Sequence, residues 1–209
     1  MINSELEYHF TLLRHGESVG NIEGRFQGQA DYPLTSKGLK QARILATYWQ
    51  NNKQVFDHII SSPLSRAKET ANIIAVALNL SLTFESLLLE RDYGEQSQLT
   101  HKKAMSKFPL PRFVHPFRPV ATTGESIWEL YLRAGEALNC LLKFDPGHYL
   151  IVAHGGLLNM LMHTIVGLAP HPEFQGVNFC FLNTGFTTLI YKPENNNWTI
   201  LGHNARPHL

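Results

Sequence analysis

Tyr8-His9-Phe10-Thr11-Leu12-Leu13-Arg14-His15-Gly16-Glu17-Ser18 is an apolar, strand-like run that ends in an Arg-His-Gly turn. In an open α/β sheet, strand ends face the ligand crevice. An arginine there suits a phosphate, because its guanidinium is a rigid fork of donors that keeps its charge. A neutral imidazole beside it is a competent nucleophile near pH 7. Gly16 lets the backbone turn and approach a ligand closely. The alternative for so short a pattern is a strand running into a turn with a surface histidine.

Recurrence separates the two readings. Tyr149-Leu150-Ile151-Val152-Ala153-His154-Gly155-Gly156 is a second apolar run ending in His-Gly, and an apolar, helix-like segment follows from Leu157 to Leu168. In His58-Ile59-Ile60-Ser61-Ser62-Pro63-Leu64-Ser65-Arg66 a short strand gives way to a helix, with Ser62 expected as N-cap and Pro63 at the first helical position. Arg66 then sits in the first turn, where the helix dipole welcomes an anion. Glu90 follows Leu87-Leu88-Leu89 and the strand-like Leu80 to Phe84. Two histidines, two arginines and one glutamate therefore each fall just past a strand end. In a parallel sheet those ends share one rim.

These pieces occur in the order found in the histidine phosphatase superfamily, in its phosphoglycerate mutase-like branch, which the chain resembles over most of its length. The resemblance rests on Arg14-His15-Gly16-Glu17-Ser18 with Asn21, on the loop Gly28 to Gly38, and on Ser62-Pro63-Leu64-Ser65-Arg66-Ala67-Lys68-Glu69-Thr70-Ala71. It continues through Glu90 with Gly94, Gly124-Glu125-Ser126, and His154-Gly155. It implies that His15 is phosphorylated during turnover and that Glu90 gives and takes the proton. It also implies that Arg14, Arg66, Asn21 and His154 hold the phosphoryl group, with Gln27, Gly28 and Gly155 in the phosphate-binding set. One departure is Gly94-Glu95-Gln96-Ser97-Gln98, where many phosphatase members carry an acidic residue and then Trp-Glu-Gly. That leaves the catalytic set intact and the substrate open.

The chain has 209 residues, enough for one domain with a full core. Its 44% hydrophobic and 17% charged content is ordinary for a globular protein. A net charge of +1 makes no electrostatic case for nucleic acid or a membrane surface. Met1 to Glu7 has no basic n-region or apolar h-region, and the apolar run from Leu157 to Ala169 is too short to span a bilayer, so a cytoplasmic protein is expected. Cys140 and Cys180 make no CxxC or metal spacing and read as reduced core residues. Oligomeric state is not readable.

Strand and helix patterns alternate, so the fold class is α/β: a three-layer sandwich with a mostly parallel sheet. Helices are expected over about Ser36 to Asn51, Pro63 to Leu78, Glu125 to Leu142 and Gly156 to Val166, the third opened by a Ser126/Glu129 capping box. Phe186 to Tyr191 and Trp198 to Gly202 read as a hairpin, so at least one strand should be antiparallel. Residues 96–124 differ. They carry Lys102, Lys103, Lys107, Arg112 and Arg118 with no carboxylate between Gln96 and Gly124, and Pro109, Pro111, Pro116 and Pro119 exclude regular structure locally. This segment reads as a cap over the pocket, whose cations would meet a second anion on the substrate. The alternative is a loop wrapped on the surface with its cationic heads in water.

The chemistry expected is hydrolysis of small-metabolite phosphate monoesters. Arg14 and Arg66 neutralise the ester and lower the His15 pKa, a backbone carbonyl fixes the far His15 nitrogen, and Glu90 acts on the leaving alcohol and then on water. No metal or cofactor is called for. Glu17 and Asp92 compete for the acid role, Glu17 being assigned to hydrogen bonding instead. A mutase would transfer the phosphoryl group rather than release it, but the longer region that mutases carry after the Glu90 motif has no counterpart here. Gly16-Glu17-Ser18-Val19-Gly20 also matches a serine hydrolase elbow, yet Asn21 to Thr35 reads as loop where a helix should open. A metallohydrolase would need HExxH or clustered ligands, which are missing. A non-enzymatic phospho-ligand binder would usually have lost His15 or Glu90.

Overall fold

Side chains alternate between the two faces of a strand, and here both faces are apolar. Phe10, Leu12, Ile60, Tyr149 and Ile151 enter one core, while Leu13, Ile59, Leu150 and Val152 enter another. A strand apolar on both faces belongs inside a sheet covered on both sides. A computed structural model, describing residues 6–174 and 176–209, shows that arrangement. The leader reading falls largely on residues 1–5, outside the described residues.

The strands are β1 (Tyr8–Arg14), β2 (His58–Ser61), β3 (Leu82–Phe84), β4 (His148–Ala153), β5 (Phe186–Lys192) and β6 (Asn197–Ala205). They form one sheet in the order β3-β2-β4-β1-β5-β6. β1 with β4, β4 with β2 and β2 with β3 pair in parallel, and β5 is antiparallel to both β1 and β6. The helices are α1 (Val19–Ile22), α2 (Ser36–Asn51), α3 (Ser65–Leu78), α4 (His101–Lys107), α5 (Ile127–Leu141) and α6 (Gly155–Val166). Leu130, Ala134 and Leu141 of α5 and Leu157 and Leu161 of α6 cover one face. Leu45 and Trp49 of α2 and Ala71 and Ile74 of α3 cover the other. The α/β sandwich and its hairpin therefore stand as read from the sequence.

Register places the site. Arg14 pairs with Ala153, so the next residues, His15 and His154, leave the same rim side by side. Ser61 pairs with Val152, which brings Ser62 to that rim too.

Several local readings are corrected. Helix α3 starts at Ser65 with Leu64 as N-cap, not at Pro63 behind Ser62. The Ser65 N–H is taken by Asp31 Oδ1 at 2.7 Å, so the loop caps the helix and frees the Ser62 hydroxyl for another partner. Ser18 does open a helix, the one-turn α1. Its hydroxyl is buried and bonded to Gln27 Oε1 at 2.7 Å and Asn21 Oδ1 at 2.9 Å, with no histidine base, so no serine nucleophile is formed. Cys140 is half-buried and Cys180 exposed outside any strand. Both are free thiols, but neither is core: Phe179 and Phe181 supply the apolar contacts of the segment around Cys180. Within 96–124, α4 forms before the prolines begin.

Candidate active site

A cavity of about 250 Å³ opens at the rim. Arg14, His15, Asn21, Gln27, Gly28, Arg66, Glu90 and Gly155 all lie on its wall. The structure thus gathers residues from five separate stretches of chain.

His15 is 2% exposed. Its Nδ1 lies 2.7 Å from the Gly16 carbonyl oxygen. A carbonyl only accepts, so Nδ1 carries the proton and Nε2 keeps its lone pair. Burial first, then the charges of Arg14 and Arg66, hold the imidazole well below its ordinary pKa, against a smaller opposing effect of the Gly16 bond. The arginines were expected to do this; burial contributes more.

Three anchors fix the turn. Thr70 Oγ1 accepts from the Gly16 N–H at 3.1 Å and donates to the Arg66 carbonyl at 2.7 Å. Asn183 Nδ2 donates to the His15 carbonyl at 3.1 Å, and the Thr184 N–H donates to the Arg14 carbonyl at 3.1 Å. Asn183 Nδ2 also reaches Asn21 Oδ1 at 3.2 Å, an oxygen to which the Ser18 N–H donates at 3.0 Å, so the Asn21 amide oxygen is engaged by its neighbours.

Both arginines are braced by carbonyls. Arg14 Nη1 donates to Phe181 O at 2.6 Å. Arg66 donates to Ala30 O at 2.9 Å and Gly28 O at 2.7 Å. Gly28 has φ +52°, a left-handed conformation that glycine adopts without strain, and it turns that carbonyl toward Arg66. Burial lowers the Arg66 pKa to about 10, so it remains charged at neutral pH. Arg14 Nε, Arg66 Nε and His154 Nδ1 are buried without a partner. Unsatisfied buried donors carry a desolvation cost that an anion's oxygens can offset.

His154 stands behind His15, with ring centroids 5.2 Å apart, and is not on the cavity wall. Its Nε2 shares a 2.8 Å hydrogen bond with Ser62 Oγ. Burial, then Arg66 and His15, depress its pKa well below the ordinary value.

Glu90 meets the start of α6. Its Oε2 accepts from Gly156 N at 3.1 Å, and its Oε1 from Leu157 N at 3.0 Å and Arg91 N at 2.8 Å. A carboxylate belongs at a helix N-terminus. The approach needs glycine at 156, since a methyl there would lie 2.6 Å from Oε1. The backbone leading to Glu90 is held by Arg133, which donates to the Leu87, Leu89 and Glu90 carbonyls at 2.9, 2.7 and 3.2 Å and pairs with Glu125 at 2.8 Å.

The rival carboxylates face elsewhere. Glu17 binds Lys37 Nζ at 2.7 Å and Thr35 Oγ1 at 3.0 Å, and Asp92 Oδ1 accepts from Gly94 N at 2.8 Å. The outer wall is aromatic, with Phe26 packed on Tyr93 (4.8 Å) and on His101 (4.5 Å). Of residues 96–124 only His101 lines this cavity; none of the five cations does. Among the described residues, no three His, Cys, Asp or Glu side chains gather as metal ligands.

Sequence reading missed Ser62, Thr70, Arg133, Gly156 and Asn183 as supports. Thr70 lies one helical turn beyond Arg66 and was findable by that spacing. Arg133 and Asn183 act on carbonyls remote in sequence, and nothing local marks them.

The model of the histidine phosphatase superfamily (branch 1) matches residues 10–206. The chain belongs to that superfamily. Among curated relatives, "Probable phosphoglycerate mutase GpmB" of Yersinia pestis is 36% identical over 168 residues, 78% of this chain and 76% of that protein. Among solved superfamily structures, the phosphoserine phosphatase of Entamoeba histolytica in complex with 3-phosphoglyceric acid has a TM-score of 0.77 at 27% identity, covering 97% of this chain and 99% of its own. The mycobacterial glucosyl-3-phosphoglycerate phosphatase Rv2419c has a TM-score of 0.75 at 25% identity, covering 96% and 100%. No helix of the described residues is long and apolar enough to cross a membrane.

Proposed function

We propose that this superfamily member is a phosphatase that hydrolyses phosphate monoesters of small molecules through a phosphohistidine at His15. The observation that carries the reading is the His15 imidazole, whose Nδ1–H is spent on Gly16 and whose Nε2 is free beside Arg14 and Arg66. Membership of the superfamily and the solved phosphatases that share this fold support an enzyme of this class.

The ester's phosphoryl oxygens are held by Arg14, Arg66 and the Asn21 amide, and satisfy the unpartnered Arg14 Nε and Arg66 Nε, with His154 backing His15. His15 Nε2 attacks phosphorus as the ester P–O bond breaks. Protonated Glu90 gives its proton to the leaving alkoxide. The resulting carboxylate takes a proton from water, whose oxygen attacks the phosphohistidine; phosphate leaves and His15 is restored. Gly155 keeps the strand-to-helix turn compact beside Arg14. Gln27 and Gly28, both on the cavity wall, also brace Ser18 and Arg66.

Residues 96–124 cap the pocket through His101, which with Phe26 and Tyr93 forms a wall for the alcohol portion. The two arginines supply the positive charge that a metal brings to other phosphoryl transfers, so the reaction runs without one. With two free thiols the chain suits the reducing cytoplasm. Rapid-quench incubation with a labelled monoester tests the mechanism: one acid-labile, base-stable phosphoryl group per chain on His15 is expected. Its absence during turnover would refute it. Mutase transfer, carried by the name of the 36% identical relative, is the second reading. It requires 3-phosphoglycerate to give 2-phosphoglycerate faster than free phosphate.

A further inference from the structure

Two cations of the basic segment have a destination other than the phosphoryl pocket. Lys107 and Arg118 converge with Arg91 on a second cavity of about 270 Å³, which shares no lining residue with the first. Phe108, Leu110 and Val114 contribute apolar wall. No carboxylate lines it among the described residues.

Arg91 is the decisive group. It is 8% exposed, a deep position for a guanidinium. Its Nε donates to the Glu125 carbonyl at 2.9 Å, and its charge lies over the Tyr93 ring at 5.5 Å. Its two terminal nitrogens have no hydrogen-bond partner among the described residues. Three carboxylates, Glu125, Glu90 and Glu129, act on it electrostatically, but none bonds its terminal nitrogens, and that of Glu125 is engaged by Arg133 Nε and Nη2 at 2.8 Å each. The terminal N–H groups of this largely buried guanidinium are left to the cavity, which with Lys107 and Arg118 presents three cations to an incoming anion. Two lining residues, Ala121 and Thr122, also hold left-handed φ angles of 46° and 65°, a local strain that costs free energy and occurs often at ligand sites.

We propose that this cavity is a second ligand site, for a small carboxylate on an apolar body, and that its occupancy is felt at Glu90. Arg91 takes the carboxylate in a two-pronged contact, Lys107 and Arg118 close over it, and the apolar wall takes the body. The route to catalysis is one peptide long, because the Arg91 N–H itself donates to Glu90 Oε1 at 2.8 Å. A ligand that pulls on the Arg91 side chain therefore shifts a donor of the catalytic carboxylate. This coupling rests on the role given to Glu90 above; the site itself does not.

The probe is 3-phenylpropionate, which has the carboxylate and the apolar body but no phosphoryl group. Calorimetric titration into the full chain saturated with vanadate should show one site per chain, because vanadate occupies only the phosphoryl pocket. Lys107→Ala with Arg118→Ala should weaken that binding by about fivefold or more, with the melting temperature unchanged. Arg91→Leu should abolish it. In parallel, saturating probe should change kcat for an alkyl monoester while leaving KM for nitrophenyl phosphate unaltered. No binding, binding displaced by vanadate, or binding indifferent to the rim substitutions would overturn the site. Binding with no change in kcat would overturn the coupling. A chain without phosphatase activity would defeat the proposed function, while the titration would still decide the site.

Discussion

The Nδ1–H of His15 donates to the carbonyl oxygen of Gly16, its own neighbour, at 2.7 Å. The bond lies inside the turn, so the tautomer is set before any ligand arrives. The phosphoryl adduct should therefore form on Nε2, which phosphorus NMR of the denatured adduct distinguishes from Nδ1. His15→Ala should lower turnover on the order of a thousandfold or more. An Nδ1 adduct, or an active alanine variant, would count against the mechanism.

Glu90→Gln should reduce single-turnover phosphorylation strongly with alkyl monoesters and much less with nitrophenyl phosphate, whose leaving group needs little proton assistance. Single turnover isolates this step from Glu90's part in hydrolysing the intermediate. Equal losses on both esters would remove Glu90 from the acid role.

Arg133 touches no substrate; it positions Glu90 through three carbonyls and is paired with Glu125. Arg133→Leu leaves these acceptors and a mostly buried carboxylate uncompensated, at a cost of about 2–3 kcal/mol. That corresponds to roughly 5–10 °C in Tm for a chain of this size. Its kinetic signature should be a smaller version of Glu90→Gln, with alkyl esters hit harder than nitrophenyl phosphate. A uniform loss on both would make Arg133 merely structural.

Acid should destabilise the fold before its carboxylates titrate. Burial lowers the folded-state pKa of His15 and His154, and burial and Arg206 bring His208 to about 4, against about 6.5 unfolded. Below 6.5 the unfolded chain binds protons that the folded chain refuses, so stability falls as pH drops through 6.5 and is level above it. Urea unfolding at pH 7.5, 6.5 and 5.5 reads the effect, and His208→Ala should flatten part of it. Equal stability at 7.5 and 5.5 would contradict the histidine assignments.

His101→Ala should raise KM for aryl monoesters a few fold with kcat little changed, because His101 stands on the outer wall with Phe26 and Tyr93. Replacing Lys102, Lys103, Lys107, Arg112 and Arg118 together by Ala should leave KM for 3-phosphoglycerate within about twofold, since none of them lines the cavity. A large rise in that KM would return these cations to the substrate's second anion.

Sequence alone determined the sheet, its four main helices and the side chains that share one rim. Both faces of β1 and β4 are apolar, which requires a covered sheet, and the Arg-His-Gly and His-Gly turns end those strands, so the reactive groups had to share a rim. These signals are local: alternation, a capping box at Ser126, a helix opening after His154. What only the tertiary structure decided depends on contacts between segments far apart in the chain. Asp31 rather than Ser62 caps α3, and the freed Ser62 hydroxyl goes to His154. Arg133 finds the carbonyls around Glu90 across more than forty residues. Two of the five cations of residues 96–124, Lys107 and Arg118, line a second cavity, because a chain broken by prolines has no periodicity from which side-chain direction can be read. Local pattern states which face a residue takes within its own element; a loop's partner is set by which remote acceptor it can reach once the sheet has formed.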